Sequence, residues 1–184
     1  MTTLKIILII ICLQAACSVF CNEYHVSLQG NDNYNGSQKF PFKSIFKATQ
    51  TAMPGDTVTI AGGEYQLQNQ FKPLRSGTPS QWILYRAAPN ELVIFDGSLV
   101  KKGIQKSDTV NFSRLTEGLF QIEKVNYLRF ENIEVSNSNA AGFIIRCPEC
   151  SKIDLIGCRS NHSHNSGIGV WYSDSVRVLN CEIT

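Results

Sequence analysis

Three segments in the carboxyl-terminal part of the chain superpose residue by residue: LRFENIEV at 128–135, IDLIGCRS at 153–160 and VRVLNCEI at 176–183. Equivalent positions recur after 25 and then 23 residues. Each segment is rich in apolar and β-branched residues, which favour strands. A period of about 24 residues built from short strands indicates a solenoid, in which each repeat forms one layer and contacts only its neighbours.

A further short strand is predicted ahead of each repeat, at 118–122, 142–145 and 167–170. A leucine-rich repeat has a similar length but requires a regular leucine spacing that these segments lack, and a propeller blade needs about 40 residues. The remaining architecture is an all-β parallel β-helix with coils of about 24 residues.

Stacked coils place equivalent side chains about 4.8 Å apart, and alternate residues of a strand point to the same side. This geometry predicts two inward-facing columns, one formed by Phe130, Leu155 and Val178 and the other by Ile133, Cys158 and Cys181. Each coil is then stable only between its neighbours, because its apolar side chains are buried by stacking.

Polar residues within the repeats give two further predictions. Asn132 and Asn180 are expected at an inward corner, hydrogen-bonded along a ladder that Gly157 interrupts in the middle coil. Asp154 alternates with the core residues, and is therefore expected to face solvent.

One helix is predicted, at 42–52. Its apolar residues recur at three-and-four spacing, which gives one apolar face. Pro41 stands near its start, where a missing N–H costs nothing, and Pro54-Gly55 ends it. We expect this helix to cap the amino-terminal end of the tube.

The motifs of the amino-terminal half resemble those of pectate-lyase-like right-handed parallel β-helix proteins, and in particular the N-terminal part of family 9 polysaccharide lyases. The resemblance covers nearly all of the mature chain and is more specific for fold than for activity. The matching motifs are YHVS (24–27), GND (30–32), Gly36, PFKSI (41–45), PGDTV (54–58), GEY (63–65), WILYRA (82–87) and VIFDG (93–97).

The resemblance implies a Ca²⁺-assisted β-elimination on a uronic-acid polysaccharide, such as a pectin-like one. In such lyases Ca²⁺ acidifies the C–H beside the uronate carboxylate and a lysine removes the proton. The calcium ligands and the base of the family lie on later coils, so none is assigned in this chain and catalytic residues are expected beyond Thr184. The chain is accordingly interpreted as an incomplete β-helix that is inactive by itself.

The amino terminus predicts export. A short basic start, an apolar run at 6–13 and small residues at 15–18 are typical of a secretory signal peptide, assigned to residues 1–21. The run is too short to span a bilayer, which needs about 20 apolar residues. Residues 22–184 then form a secreted, extracellular cap and first coils, expected to be monomeric and without a membrane span.

Lys and Arg total 17 against 15 Asp and Glu, a balance that excludes an electrostatic nucleic-acid binder.

Export also bears on the cysteines and the glycosylation sequons. Cys147 and Cys150 form a C-x-x-C without the second pair or the histidines that a zinc site needs, so a local disulfide or two free thiols is expected. Asn35, Asn111 and Asn161 each begin an N-x-S sequon and predict glycans on surface loops.

The candidate carbohydrate contacts are Trp171, His162 and His164. Alternation puts Trp171 on the outer face of its strand, where an indole can stack on a sugar ring, and the two histidines stand in the most polar turn, NHSHNS (161–166). No paired aspartates of a hydrolase are found. Two functions remain open: a polysaccharide-active, pectate-lyase-like protein, and a non-catalytic β-helix for carbohydrate binding, adhesion or surface attachment.

Overall fold

Three parallel β-sheets surround one apolar core. The computed structural model describes residues 21–100, 117–146 and 151–184. The elements are β1 (Glu23–Val26), α1 (Ile45–Thr51), β2 (Thr57–Ile60), β3 (Gly63–Gln66), β4 (Ile83–Ala87), β5 (Val93–Asp96), β6 (Gly118–Ile122), β7 (Leu128–Glu131), β8 (Ile133–Ser136), β9 (Ala141–Arg146), β10 (Ser151–Ile156), β11 (Arg159–Asn161), β12 (Ile168–Trp171), β13 (Asp174–Leu179) and β14 (Glu182–Ile183).

The chain visits the three sheets in turn. Sheet A has the strand order β1-β2-β4-β7-β10-β13, sheet B the order β3-β5-β8-β11-β14, and sheet C the order β6-β9-β12. All these strand pairs are parallel, as stacking of successive coils requires. The all-β parallel β-helix predicted from the repeat is confirmed. Within the described residues, no helix is long and apolar enough to cross a membrane.

The strand register confirms the predicted columns. Leu155 pairs with Phe130 on one side and Val178 on the other. Arg159 pairs with both Glu134 and Glu182, so the residues before them stack as the second column, formed by Ile133, Cys158 and Cys181. Upstream the first column continues into Tyr85, whose ring stacks on that of Phe130 with centroids 5.1 Å apart.

In three coils the chain turns from sheet A into sheet B at a single residue with a left-handed backbone conformation. Asn132, Gly157 and Asn180 have φ of 55°, 61° and 53°, a conformation that Gly and Asn tolerate best. The prediction of an inward asparagine ladder is wrong, because both Asn132 and Asn180 are exposed residues. The bonds that link the coils are made by the backbone: the N–H of Asn132 donates to Ile156 O (2.9 Å) and that of Gly157 to Leu179 O (2.8 Å). Gly157 therefore continues the ladder of backbone hydrogen bonds between the coils and does not interrupt it.

The helix is shorter at its start than predicted. Phe42 forms a parallel bridge with Val26, because the Phe42 N–H donates to His25 O (2.8 Å) and the backbone there is extended. Ser44 is the N-cap, and its hydroxyl accepts from the N–H of Lys47. α1 buries Ile45, Ala48 and Thr49 against the amino-terminal coils.

Candidate functional site

A polar groove, which we call the corner groove, opens where sheet B turns into sheet C. It has a volume of about 380 Å³. Its lining side chains are hydroxyls, amides and imidazoles, groups that both donate and accept hydrogen bonds. They come from three successive coils and are Ser98, Asn137, Ser138, Asn139, His162, Ser163 and His164. Because none of them is a lysine or arginine, the groove suits the hydroxyl-rich face of a ligand.

Backbone hydrogen bonds between coils bring these side chains together. Asn137 N–H donates to Asn161 O (3.1 Å), which places the turn at Asn137 beside that at His162. His164 N–H donates to Ser138 O (2.9 Å). Since the backbone groups bond to one another, the imidazoles of His162 and His164 project as exposed side chains at the mouth of the groove.

A buried carboxylate holds one side of the corner groove in place. Asp96 Oδ1 accepts from the Ser98 N–H (2.7 Å), and Oδ2 accepts from Asn137 Nδ2 (2.7 Å). Burial by itself raises the pKa of Asp96, but the hydrogen bonds from Ser98 and Asn137 outweigh it and keep the pKa below its ordinary value. The ionised carboxylate fixes Asn137 and disfavours a second negative charge at that end of the groove.

Trp171 lies apart from the groove. It ends β12 in register with Arg146, on the outer face of sheet C, whereas Ile168 is in register with the core residue Phe143. The indole is partly buried, and its Nε1 lies over Gly169, 3.3 Å from where a Cβ would stand. The structure thus brings His162 and His164 together in the groove and leaves Trp171 at the other end of β12.

Asp154 lies under two arginines on the outer face of sheet A. It is 1% exposed, so the expectation that it faces solvent is wrong. Its carboxylate accepts from Arg177 Nε (2.8 Å), Arg177 Nη2 (2.6 Å) and Arg129 Nε (3.0 Å). Burial opposes ionisation, but the hydrogen bonds from Arg177 and Arg129 lower the pKa of Asp154. The Asp154 side chain does point outward, but the arginines of the coils stacked on either side cover it.

The other buried or capping aspartates also have structural partners. Asp32 accepts from the N–H groups of Lys43 (2.8 Å) and Ser44 (2.9 Å) before the helix, and Asp56 accepts from the N–H of Met53 (2.8 Å). Across the described ranges, no group of three His, Cys, Asp or Glu side chains could hold a metal ion. The residues described here do not fit a Ca²⁺ site, because Ca²⁺ takes about six to eight oxygen ligands.

Several predictions fall partly or wholly outside the described residues. Of the predicted signal segment, only Cys21 belongs to the described residues. Asn111, Cys147 and Cys150 lie outside them. Asn35 is exposed in a turn, with its Oδ1 accepting from the Ser37 N–H (3.1 Å), and Asn161 is partly exposed at the end of β11.

Two sets of residues were missed at the sequence level although the repeat contained their signal. Asn137 and Asn139 stand 25 residues before His162 and His164, the same spacing as between the repeats. Arg129, Asp154 and Arg177 likewise occupy one repeat position. Aligning the polar positions of the repeats, and not only the apolar ones, would have placed both sets side by side.

Comparisons with known proteins agree with this geometry. A family model described as the Pel9A-like, right handed beta helix region matches residues 24–183. Pectate lyase PEL9 of Emericella nidulans is 28% identical over 145 residues, which are 79% of this chain and 35% of that protein. The crystal structure of pectate lyase Pel9A has a TM-score of 0.60 at 17% identity, covering 89% of this chain and 48% of that one.

A glycoside hydrolase has the same fold. The lacto-N-biosidase of Eubacterium ramulus (GH136) has a TM-score of 0.63 at 19% identity, covering 88% of this chain and 34% of its own. At these identities the two solved structures show the shared fold alone. The chain spans about a third of the length of PEL9.

Proposed function

The chain belongs to the Pel9A-like right-handed β-helix family, and from this premise we propose that it is a secreted, polysaccharide-active protein of the pectate-lyase type. Its ligand is a uronic-acid polysaccharide such as pectin. The amino-terminal signal pattern supports secretion. The similarity to pectate lyase PEL9 supports the substrate class.

The corner groove is the observation that carries this proposal. Its hydroxyl, amide and imidazole groups come from successive coils, so equivalent positions repeat about every 4.8 Å along the tube axis. A linear polymer can then lie across several coils and meet similar groups in each. Because ionised Asp96 lies beside Asn137, the proposed orientation turns sugar hydroxyls toward the groove and uronate carboxylates toward the exposed imidazoles of His162 and His164.

The resemblance to pectate lyases suggests β-elimination chemistry, but we do not assign that chemistry to the residues that the structure describes. Among these residues the carboxylates of Asp96 and Asp154 accept from N–H and guanidinium groups, and no group of three His, Cys, Asp or Glu side chains could hold a metal ion. We therefore assign no base and no cation ligand in this part of the chain, and propose that it contributes binding. This observation also favours the second candidate, a non-catalytic β-helix that binds carbohydrate.

Binding is tested with the whole chain and polygalacturonate, using isothermal titration calorimetry with a neutral glucan as the comparison polymer. Replacing His162 and His164 by Ala removes two hydrogen-bonding groups worth about 1 kcal/mol each, so Kd should rise roughly 10- to 30-fold. His25, the remaining histidine, lies on β1 and supplies the matched control as His25→Ala. Equal affinity of the double variant and the wild type would remove the groove from the proposal.

Catalysis is tested by the ultraviolet absorbance of unsaturated products from polygalacturonate with Ca²⁺, with and without a chelator. We expect no product from this chain. Chelator-sensitive product formation would show that the chain contains a complete lyase site, which contradicts our assignment of binding alone. Binding without product supports the assignment.

A further inference from the structure

Cys158 and Cys181 are nearest neighbours on consecutive coils. Arg159 pairs with Glu182 in the parallel register of β11 and β14, and the Glu182 N–H donates to Cys158 O (3.0 Å). Neighbouring strands are about 4.8 Å apart, which lies within the roughly 4.4–6.8 Å separation of Cα atoms in disulfides. Both side chains belong to the inward column that Ile133 begins, so both sulfurs lie on the same side of the sheet.

The two thiols have unequal surroundings. Each donates to a backbone carbonyl of the preceding coil, Cys158 Sγ to Phe130 O (3.4 Å) and Cys181 Sγ to Leu155 O (3.5 Å). The adjoining Cys181 thiol, together with burial, raises the pKa of Cys158, whereas the adjoining Cys158 thiol lowers the pKa of Cys181 below its usual value. Cys158 is 1% exposed and Cys181 is partly exposed. The sulfur that ionises more readily is therefore also the one that a reagent can reach.

We propose that Cys158 and Cys181 form a disulfide that links the coil of β11 to the coil of β14. The oxidant is a small disulfide such as oxidised glutathione, of the kind present in oxidising compartments. The Cys181 thiolate attacks one glutathione sulfur and releases one glutathione thiolate. Cys158 then gives up its proton, attacks the Cys181 sulfur of the mixed disulfide and releases the second glutathione. Two thiols are oxidised and one glutathione disulfide is reduced to two thiols.

The other described cysteine does not compete for this pairing. Cys21 lies beside Gly55 in the amino-terminal coil, where a Cβ on the glycine would stand 3.0 Å from its sulfur. Cys147 and Cys150 fall outside the described residues and are removed in the control variant. Mapping the peptides that contain each cysteine therefore tests the pairing of Cys158 with Cys181 directly.

The whole chain is equilibrated with oxidised and reduced glutathione, alkylated and digested with trypsin. Cleavage after Lys152, Arg159 and Arg177 puts the two cysteines in separate peptides, 153–159 and 178–184. We expect these peptides to appear joined, two hydrogen masses lighter than their sum, in most of the protein, and to separate on reduction. The variant with Cys147→Ser and Cys150→Ser should give the same joined pair.

Two single variants test the roles of the sulfurs. Cys158→Val keeps an apolar side chain in the column and should leave Cys181 as a stable mixed disulfide with glutathione. Cys181→Val should leave Cys158 as a free thiol. Recovery of both wild-type peptides as alkylated thiols after oxidation, or joined to 147–152 instead of to each other, would overturn the proposal.

Discussion

The Asp154→Asn substitution tests whether the charged column on sheet A stabilises the coils. The carboxylate accepts three charge-assisted hydrogen bonds, two from Arg177 and one from Arg129. Asn keeps a single acceptor oxygen and presents N–H groups to the two guanidinium groups. Hydrogen bonds to charged groups contribute about 1.5–3 kcal/mol each. The arginine side chains are 35% and 55% exposed and regain water, so we discount the loss to about 2–3 kcal/mol.

The measurement is urea unfolding followed by circular dichroism, at pH 7 and at decreasing pH. Because the folded-state pKa of Asp154 is lowered, its contribution is complete above the ordinary pKa of about 3.9 and is lost as the pH falls through the lower folded-state value. The difference between wild type and variant should therefore be full at pH 7 and shrink in acid. Asp174→Asn, at the exposed start of β13, is the control. A loss below about 0.5 kcal/mol at pH 7, or a loss that persists at low pH, would refute this account of the column.

Three further substitutions test the core, the corner and the cap by thermal or urea unfolding. Phe130→Ala removes a ring stacked on Tyr85 and should cost about 3–5 kcal/mol, whereas Tyr172→Ala, at a residue 80% exposed, should change stability by less than about 0.5 kcal/mol; similar losses for the two would contradict the inward column. Gly157→Val and Gly157→Asn both bring a Cβ against Asn132 Oδ1, so the difference between them reports the effect of the φ of 61°. The β-branched Val should cost about 1–2 kcal/mol more than Asn, and equal losses would argue against backbone strain. Asp32→Ala removes the acceptor for two N–H groups before α1 and should cost about 1–2 kcal/mol; an unchanged melting temperature would show that the cap is dispensable.

The architecture was predictable because a β-helix repeats its apolar positions in the sequence. Spacings of 25 and 23 residues placed Phe130, Leu155 and Val178 in one column, and the register confirms this column. The helix start was less predictable, since Phe42 fits an apolar helical face as well as it fits the bridge to Val26. Only the backbone pairing of that bridge decides between the two.

The sequence by itself determined the coil length, the inward columns and the helix before β2, because burial of apolar residues at a fixed period leaves few alternatives. Tertiary structure alone decided the surroundings of polar residues. Asp154 points outward as alternation requires, yet arginines from the coils on either side cover it. His162 and His164 form a groove only because turns from other coils stack against theirs. The burial and the hydrogen bonds of a polar side chain depend on atoms far along the chain, and those atoms become its neighbours only when the coils stack.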